Sequence, residues 1–208
     1  MNLIARLKSF VLPKEIDFFE NLHKQSVLTE QVVEELYNVY LTKSAKEKVI
    51  KNLSEEAKKL RKKNLIELNS VFITPVDKEA ISRLFNNLYW IVLSIKHLEA
   101  EIDTYGIKEL NEYKDIFSLL KKQIRSTSTC FTLIQEKKYN EVMSTSNEII
   151  HFDNEIIKLY ASYLAKLFEG NDMQRILQYR EILSQLKEIS KRIHVCSNYI
   201  EDLVFKMN

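Results

Sequence analysis

From Ile81 the apolar residues recur as Ile81, Leu84, Leu88, Ile91, Ile95 and Leu98. Steps alternating between three and four put all six on one stripe of an α-helix. The same pattern returns as Leu186, Ile189, Ile193, Cys196, Ile200 and Leu203, each 105 residues after its counterpart. Any two heptad patterns can be slid into register, so this match alone is weak. A second alignment strengthens it: Glu56, Leu60, Leu65 and Leu68 fall 99 residues before Glu155, Leu159, Leu164 and Leu167. Each set lies just ahead of its stripe. The two alignments together read as an internal duplication of roughly one hundred residues.

The punctuation between stripes divides the chain into six helices. Pro13 marks the first boundary, and Ile16, Phe19, Val33, Leu36 and Tyr40 are the inward positions of the helical pattern that follows. Ser44 is placed to cap a second helix using Val49, Leu53, Leu60 and Leu68. In Thr74-Pro75-Val76-Asp77, Thr74 suits the cap of the third helix, Pro75 its first position and Asp77 a capping-box residue. Gly106 suits the left-handed position that ends this helix. Tyr113, Phe117, Leu120, Ile124 and Phe131 mark the inward face of a fourth helix, and Lys137–Asn140 a turn. The fifth helix uses Ile149, Ile156, Tyr160, Tyr163 and Leu167 and stops at Gly170; Asp172 caps the sixth. The expected fold is all-α: six long antiparallel helices forming two tandem three-helix-bundle repeats, 14–105 and 107–206, within a single domain spanning 1–208.

Composition agrees with this. Gly 2 and Pro 2 leave almost no turn residues for a strand-rich fold. Thirty-one basic against twenty-nine acidic residues give a net charge of +2, which demands neither nucleic acid nor an anionic partner. The basic run Lys58–Lys63 reads as a solvated face. Cys130 and Cys196 have no metal-binding spacing and read as small buried hydrophobes. No apolar run reaches the ~18–20 residues of a membrane span. Met1–Leu12 carries Arg6 and Lys8 within its apolar part and does not read as a secretion signal; packing on the protein's own core is expected over a surface-seeking helix.

Chemistry is sparse. Two glycines cannot build a phosphate loop, and no His-Glu-x-x-His occurs. Glu-x-x-His appears as Glu20/His23 and Glu148/His151, the pair spacing of di-iron bundles, but on helices one and five, which the duplication does not relate. His97 falls on the outer half of its helix. Tyr89, Trp90 and Leu93 flank the inner stripe and read as packing residues.

Four segments stand out: Phe10-x-Leu-Pro13 with Phe18-Phe19; Leu68-Asn69-x-x-Phe72-Ile73-Thr74-Pro75-x-Asp77-x-Glu79-x-Ile81; Tyr179-Arg180-Glu181-Ile182-Leu183; and Asn198-x-Ile200-Glu201. Together, over nearly the whole length, they resemble the PhoU-like phosphate-transport regulators, in the branch of accessory proteins to Pit-type inorganic phosphate transporters. The resemblance implies a PhoU-like fold of two duplicated three-helix bundles. Some relatives hold multinuclear metal clusters with carboxylates four apart on these helices. In this sequence those positions fall on Ser54 and Lys58; on Tyr89, Trp90 and Leu93; on Asp153 and Ile157; and on His194, Val195 and Asn198. Only Asp153 keeps a carboxylate, with His194 and Asn198 as weak remaining donors, so no metal, cofactor or catalytic residue is expected.

The resulting expectation is a non-catalytic cytoplasmic regulator that binds a Pit-type phosphate transporter or another protein. It leaves room for peripheral membrane association through that transporter and for a homo-oligomer, with no nucleic-acid partner. Two alternatives stand beside it: a metal-binding helical-bundle protein or enzyme, and a helical interaction module that has drifted from phosphate altogether.

Overall fold

A computed structural model describes residues 16–44 and 48–207. The Pro13 boundary, the Phe10–Pro13 likeness and the Met1–Leu12 reading lie outside them, as do residues 45–47. Six α-helices form: α1 Phe18–Tyr37, α2 Val49–Ser70, α3 Lys78–Thr104, α4 Lys114–Gln135, α5 Tyr139–Phe168 and α6 Met173–Phe205. No strand occurs among the described residues.

The helices pack as two groups. Each of α1, α2 and α3 touches the other two, as do α4, α5 and α6. The groups meet through α1 against α4 and α3 against α6. Both cross-contacts are antiparallel: Lys206 at the end of α6 meets Asp77 at the start of α3, and Gln135 at the end of α4 meets Glu20 at the start of α1. The two predicted stripes form the centre. All twelve of their residues are fully buried, including Leu88 and Ile193.

The recurrence extends to helices whose alignment the stripes did not reveal. Phe18, Leu22, Gln25, Thr29, Val32, Val33 and Leu36 of α1 are buried, and so are the α4 residues 98 positions later: Ile116, Leu120, Gln123, Thr127, Cys130, Phe131 and Ile134. Polar pairs recur with the apolar ones. Thr29 Oγ1 donates to the Gln25 carbonyl at 2.9 Å, and Thr127 Oγ1 donates to the Gln123 carbonyl at 3.0 Å. Gln25 Nε2 donates to the Phe85 carbonyl of α3 at 2.7 Å, and Gln123 Nε2 to the Ser190 carbonyl of α6 at 3.2 Å. Ser190 is again 105 residues after Phe85.

Several local expectations need correction. Thr74 does not cap α3; its hydroxyl donates to the Val76 carbonyl at 2.6 Å, closing a turn. The cap is Asp77, extended at φ −58°, ψ 141°, whose Oδ1 accepts from Ala80 N at 2.8 Å. A carboxylate accepts this bond more strongly than a hydroxyl and also faces the positive end of the helix dipole. Ser44 does not cap α2, which starts at Val49 behind a left-handed Lys48. The buried face of α2 is Ile50, Ser54, Ala57, Asn64 and Leu68, while Val49, Leu53 and Leu60 flank it half-buried. Small residues at 54 and 57 let α2 settle between α1 and α3. Tyr40 is buried as expected, but on a π-helical turn, Asn38–Thr42, that follows α1. The turn before α5 is shorter than expected, with Tyr139 already helical.

Other expectations hold. Gly106 is left-handed at φ 70°, and Gly106 N and Ile107 N bond back to the Asp103 and Ile102 carbonyls, a Schellman ending. Asp172 caps α6 through Arg175 N at 3.0 Å. His97 is exposed.

Asp77 also pairs with Lys206 at 2.6 Å, and this ion pair, with the Ala80 bond, holds its carboxyl below the ordinary value of 3.8. A carboxylate depressed in the folded state contributes stability that is complete above its unfolded value and lost as pH falls through the native one. Asp77→Ala is expected to cost about 0.5–2 kcal/mol at neutral pH. Its difference from the parent in urea melts should shrink on acidification, whereas Thr74→Ala should move the neutral midpoint less.

Candidate functional site

Of the positions to which the family resemblance assigns metal ligands, Asp153 and His194 of the second half bond each other, while those of the first half make no bond to one another among the described residues. In the second half, Asp153 of α5 faces Ser190 and His194 of α6. Ser190 Oγ donates to Asp153 Oδ1 at 2.6 Å, and His194 Nδ1 lies 2.8 Å from Asp153 Oδ2. The carboxylate is an acceptor only, so the imidazole donates from Nδ1. Asp153 is 5% exposed and the His194 side chain 29%. Periodicity explains the meeting: Ser190 and His194 are four apart on α6, so both point at one position on the facing helix. Below them, Gln123 Nε2 bridges the Ile149 and Ser190 carbonyls, each at 3.2 Å, tying α4 to both partners. Asn198, one turn beyond His194, is exposed and joins none of these bonds among the described residues.

In the first half none of the corresponding positions carries a carboxylate. Ser54 is buried and its hydroxyl has no protein partner among the described residues. Lys58 is exposed. Tyr89 is half-buried against the core with the Arg61 guanidinium 5.1 Å from its ring centroid. Trp90 is 49% exposed, with Arg192 over its ring at 5.6 Å, so it is a surface cation–π partner rather than the packing residue expected. Here the polar connection is a different one: Asn64 Nδ2 of α2 donates to Gln25 Oε1 at 3.0 Å.

This donor set does not fit a metal cluster. Both Asp153 oxygens are already engaged, and the site gathers one carboxylate and one imidazole, where hard cations take six or more oxygens. Among the described residues no group of three or more His, Cys, Asp or Glu is placed to hold an ion. The two Glu-x-x-His pairs are apart and occupied elsewhere. Glu20 accepts from Gln135 at 2.6 Å, His23 Nε2 lies 3.2 Å from Thr132 Oγ1, and Glu148 faces Ser126. Nor is Ser190 an activated nucleophile, because its hydroxyl bonds the carboxylate and not the imidazole that would have to remove its proton. What the arrangement does is lock α5 against α6 in one register.

The thiols are equally unreactive in geometry. Burial pushes the Cys130 thiol up to about 12, helped by Glu148 and Glu201, and raises Cys196 further. Neither is expected to react with Ellman's reagent in the native protein, while both react in guanidinium; rapid labelling of the native chain would contradict their burial.

A separate cavity of about 280 Å³ opens where α5 meets α6, lined by Tyr113, Tyr163, Lys166 and Arg175 among others. Arg175 stacks over Tyr179 at 4.1 Å and pairs with Glu112 at 2.6 Å, so the one guanidinium there is already held by an aromatic face and a carboxylate.

The chain is similar to UPF0111 protein YkaA of Bacillus subtilis (strain 168). The two are 28% identical over 143 residues, 67% of this chain and 69% of that protein. No protein-family model matches the chain.

The sequence offers Asp153 and His194 as residual donors and leaves open whether Asp153 approaches His194. Gln25 and Gln123 fall outside the hydrophobic pattern, although Gln-x-x-x-Thr stands in the sequence twice, 98 residues apart, as Gln25/Thr29 and Gln123/Thr127.

Proposed function

We propose that this chain is a non-catalytic accessory or regulatory protein of inorganic phosphate transport, acting in the cytoplasm by binding a Pit-type phosphate transporter. The reading is carried by the segment Leu68–Ile81, which resembles the most recognisable stretch of the PhoU-like accessory proteins. The similarity to UPF0111 protein YkaA over about two thirds of each chain is in keeping with it. The donor chemistry is in keeping with binding rather than catalysis. Its central polar groups are consumed in holding helices together, and no nucleophile–base pair stands among them. That segment joins α2 to α3. No described helix is long and apolar enough to cross a membrane, so the proposed role depends on a separate transporter.

The test is affinity purification of the tagged chain from gently solubilised membranes of its own organism, together with phosphate uptake in a deletion strain. Co-purification of a Pit-type permease and altered uptake are expected. Absence of the permease, with uptake unchanged, would remove the phosphate assignment.

A further inference from the structure

The internal symmetry of the molecule is broken most clearly in charge. Along α2, Lys51, Lys58, Lys59, Arg61, Lys62 and Lys63 outnumber three glutamates. Its counterpart α5 carries four acidic residues against Lys158 and Lys166. The ion pairs of α2 are Lys63 with Glu67 and Glu55 with Lys96, so Lys58, Lys59 and Lys62 are exposed and make no direct ion pair among the described residues, although Lys58 and Lys59 also act on the Glu55 carboxyl one turn back.

The same helix runs into the most exposed large apolar side chains among the described residues. Ile66 on its outer face is 59% exposed, and just beyond its end Phe72 and Ile73 are 100% and 87% exposed. Phe205, also exposed, is brought to this end by the Lys206–Asp77 pair. Single exposed hydrophobes need no explanation, but several at one helix end bordered by an excess of lysines do. A helix rises about 1.5 Å per residue, so Lys62 lies only about two turns from the loop.

We propose that this surface docks directly on an anionic lipid bilayer, with Phe72 and Ile73 entering the boundary between headgroups and acyl chains and the α2 lysines facing the headgroups. The proposal stands apart from any transporter. Its chemistry is that of interfacial binding: apolar side chains supply burial, and each basic residue near an anionic leaflet adds an attraction worth about a fivefold change in affinity. A protein partner fits less well. Four side chains offer on the order of a few hundred Å², whereas the low end of stable interfaces requires about 600 Å² on each partner. A bilayer imposes no such minimum on a loop tip.

The full chain is sedimented with vesicles of phosphatidylcholine alone and of phosphatidylcholine mixed equally with phosphatidylglycerol. Binding is expected to the mixed vesicles only, weakening as salt rises. Phe72→Ser with Ile73→Ser, and separately Lys58→Glu, Lys59→Glu and Lys62→Glu together, should each lower it about tenfold or more. Lys158→Glu on α5 should leave it unchanged. If the triple reversal unfolds the chain by circular dichroism, Lys62→Glu alone carries the test, with about a fivefold loss. No binding to mixed vesicles at low salt overturns the proposal, as does binding that the loop and lysine variants leave intact. A concentration-dependent dimer that Phe72→Ser with Ile73→Ser dissolves, without vesicle binding, assigns the surface to a second copy and also overturns it.

Discussion

Leu88→Ala and Ile193→Ala are each expected to lower the unfolding free energy by about 2–5 kcal/mol. Both side chains are fully buried, one on α3 and one on α6, at positions 105 residues apart. Truncation removes apolar contact and leaves a void that close-packed neighbours fill only in part. The informative quantity is the comparison. If the halves descend from one duplicated unit, the two sites share an environment built from corresponding neighbours, and the two losses should be similar. A large loss at one position with a negligible loss at the other would contradict that equivalence. Urea unfolding followed by circular dichroism measures both, and an unchanged m-value would show that the same cooperative unit is unfolding.

Gln25→Leu should cost about 1–3 kcal/mol, for a different reason. Gln25 is 1% exposed, donates to the Phe85 carbonyl and accepts from Asn64. Leucine has similar bulk, so little volume is lost; the loss comes from stranding the Asn64 amide in a dry interior. Asn64 already has a buried Oδ1 without a partner. Replacing Asn64 by leucine as well removes the stranded donor and the orphaned acceptor together. The double variant Gln25→Leu/Asn64→Leu should therefore be more stable than Gln25→Leu alone, a coupling a double-mutant cycle resolves. Additive losses would mean that the two side chains do not act as a pair.

These two cases mark what the sequence could and could not convey. The stripes of α3 and α6 were legible because burial on a long central helix repeats at helical spacing and nearly every inward residue is a large aliphatic. Gly106 and Asp172 were legible because left-handed φ and an N-cap each favour few residue types. The buried face of α2 lies a fraction of a turn from the one its apolar residues predict, because its deepest positions include Ser54, Ala57 and Asn64, which a hydrophobic pattern passes over. Thr74 and Asp77 are both good caps, and local sequence does not decide between them. The turn closed by the Thr74 hydroxyl and the reach of Lys206 across the molecule do. The Asp153–Ser190–His194 cluster depends on the register of α5 against α6, a tertiary quantity that neither helix states alone.

That cluster also separates the proposed binding protein from a metal-dependent one. The donors surrounding Asp153 are a hydroxyl and an imidazole, both already bonded to it, and the equivalent corner of the first half offers Ser54, Lys58 and Tyr89. An ammonium near a divalent cation is repelled, and one carboxylate cannot neutralise it. The most direct measurement is elemental analysis of the full chain purified without chelators. The account predicts no stoichiometric iron, zinc or manganese. About one or more ions per chain, lost on Asp153→Ala, would contradict it, because metal binding would then be coupled to a carboxylate whose two oxygens are both committed to holding α5 and α6 together.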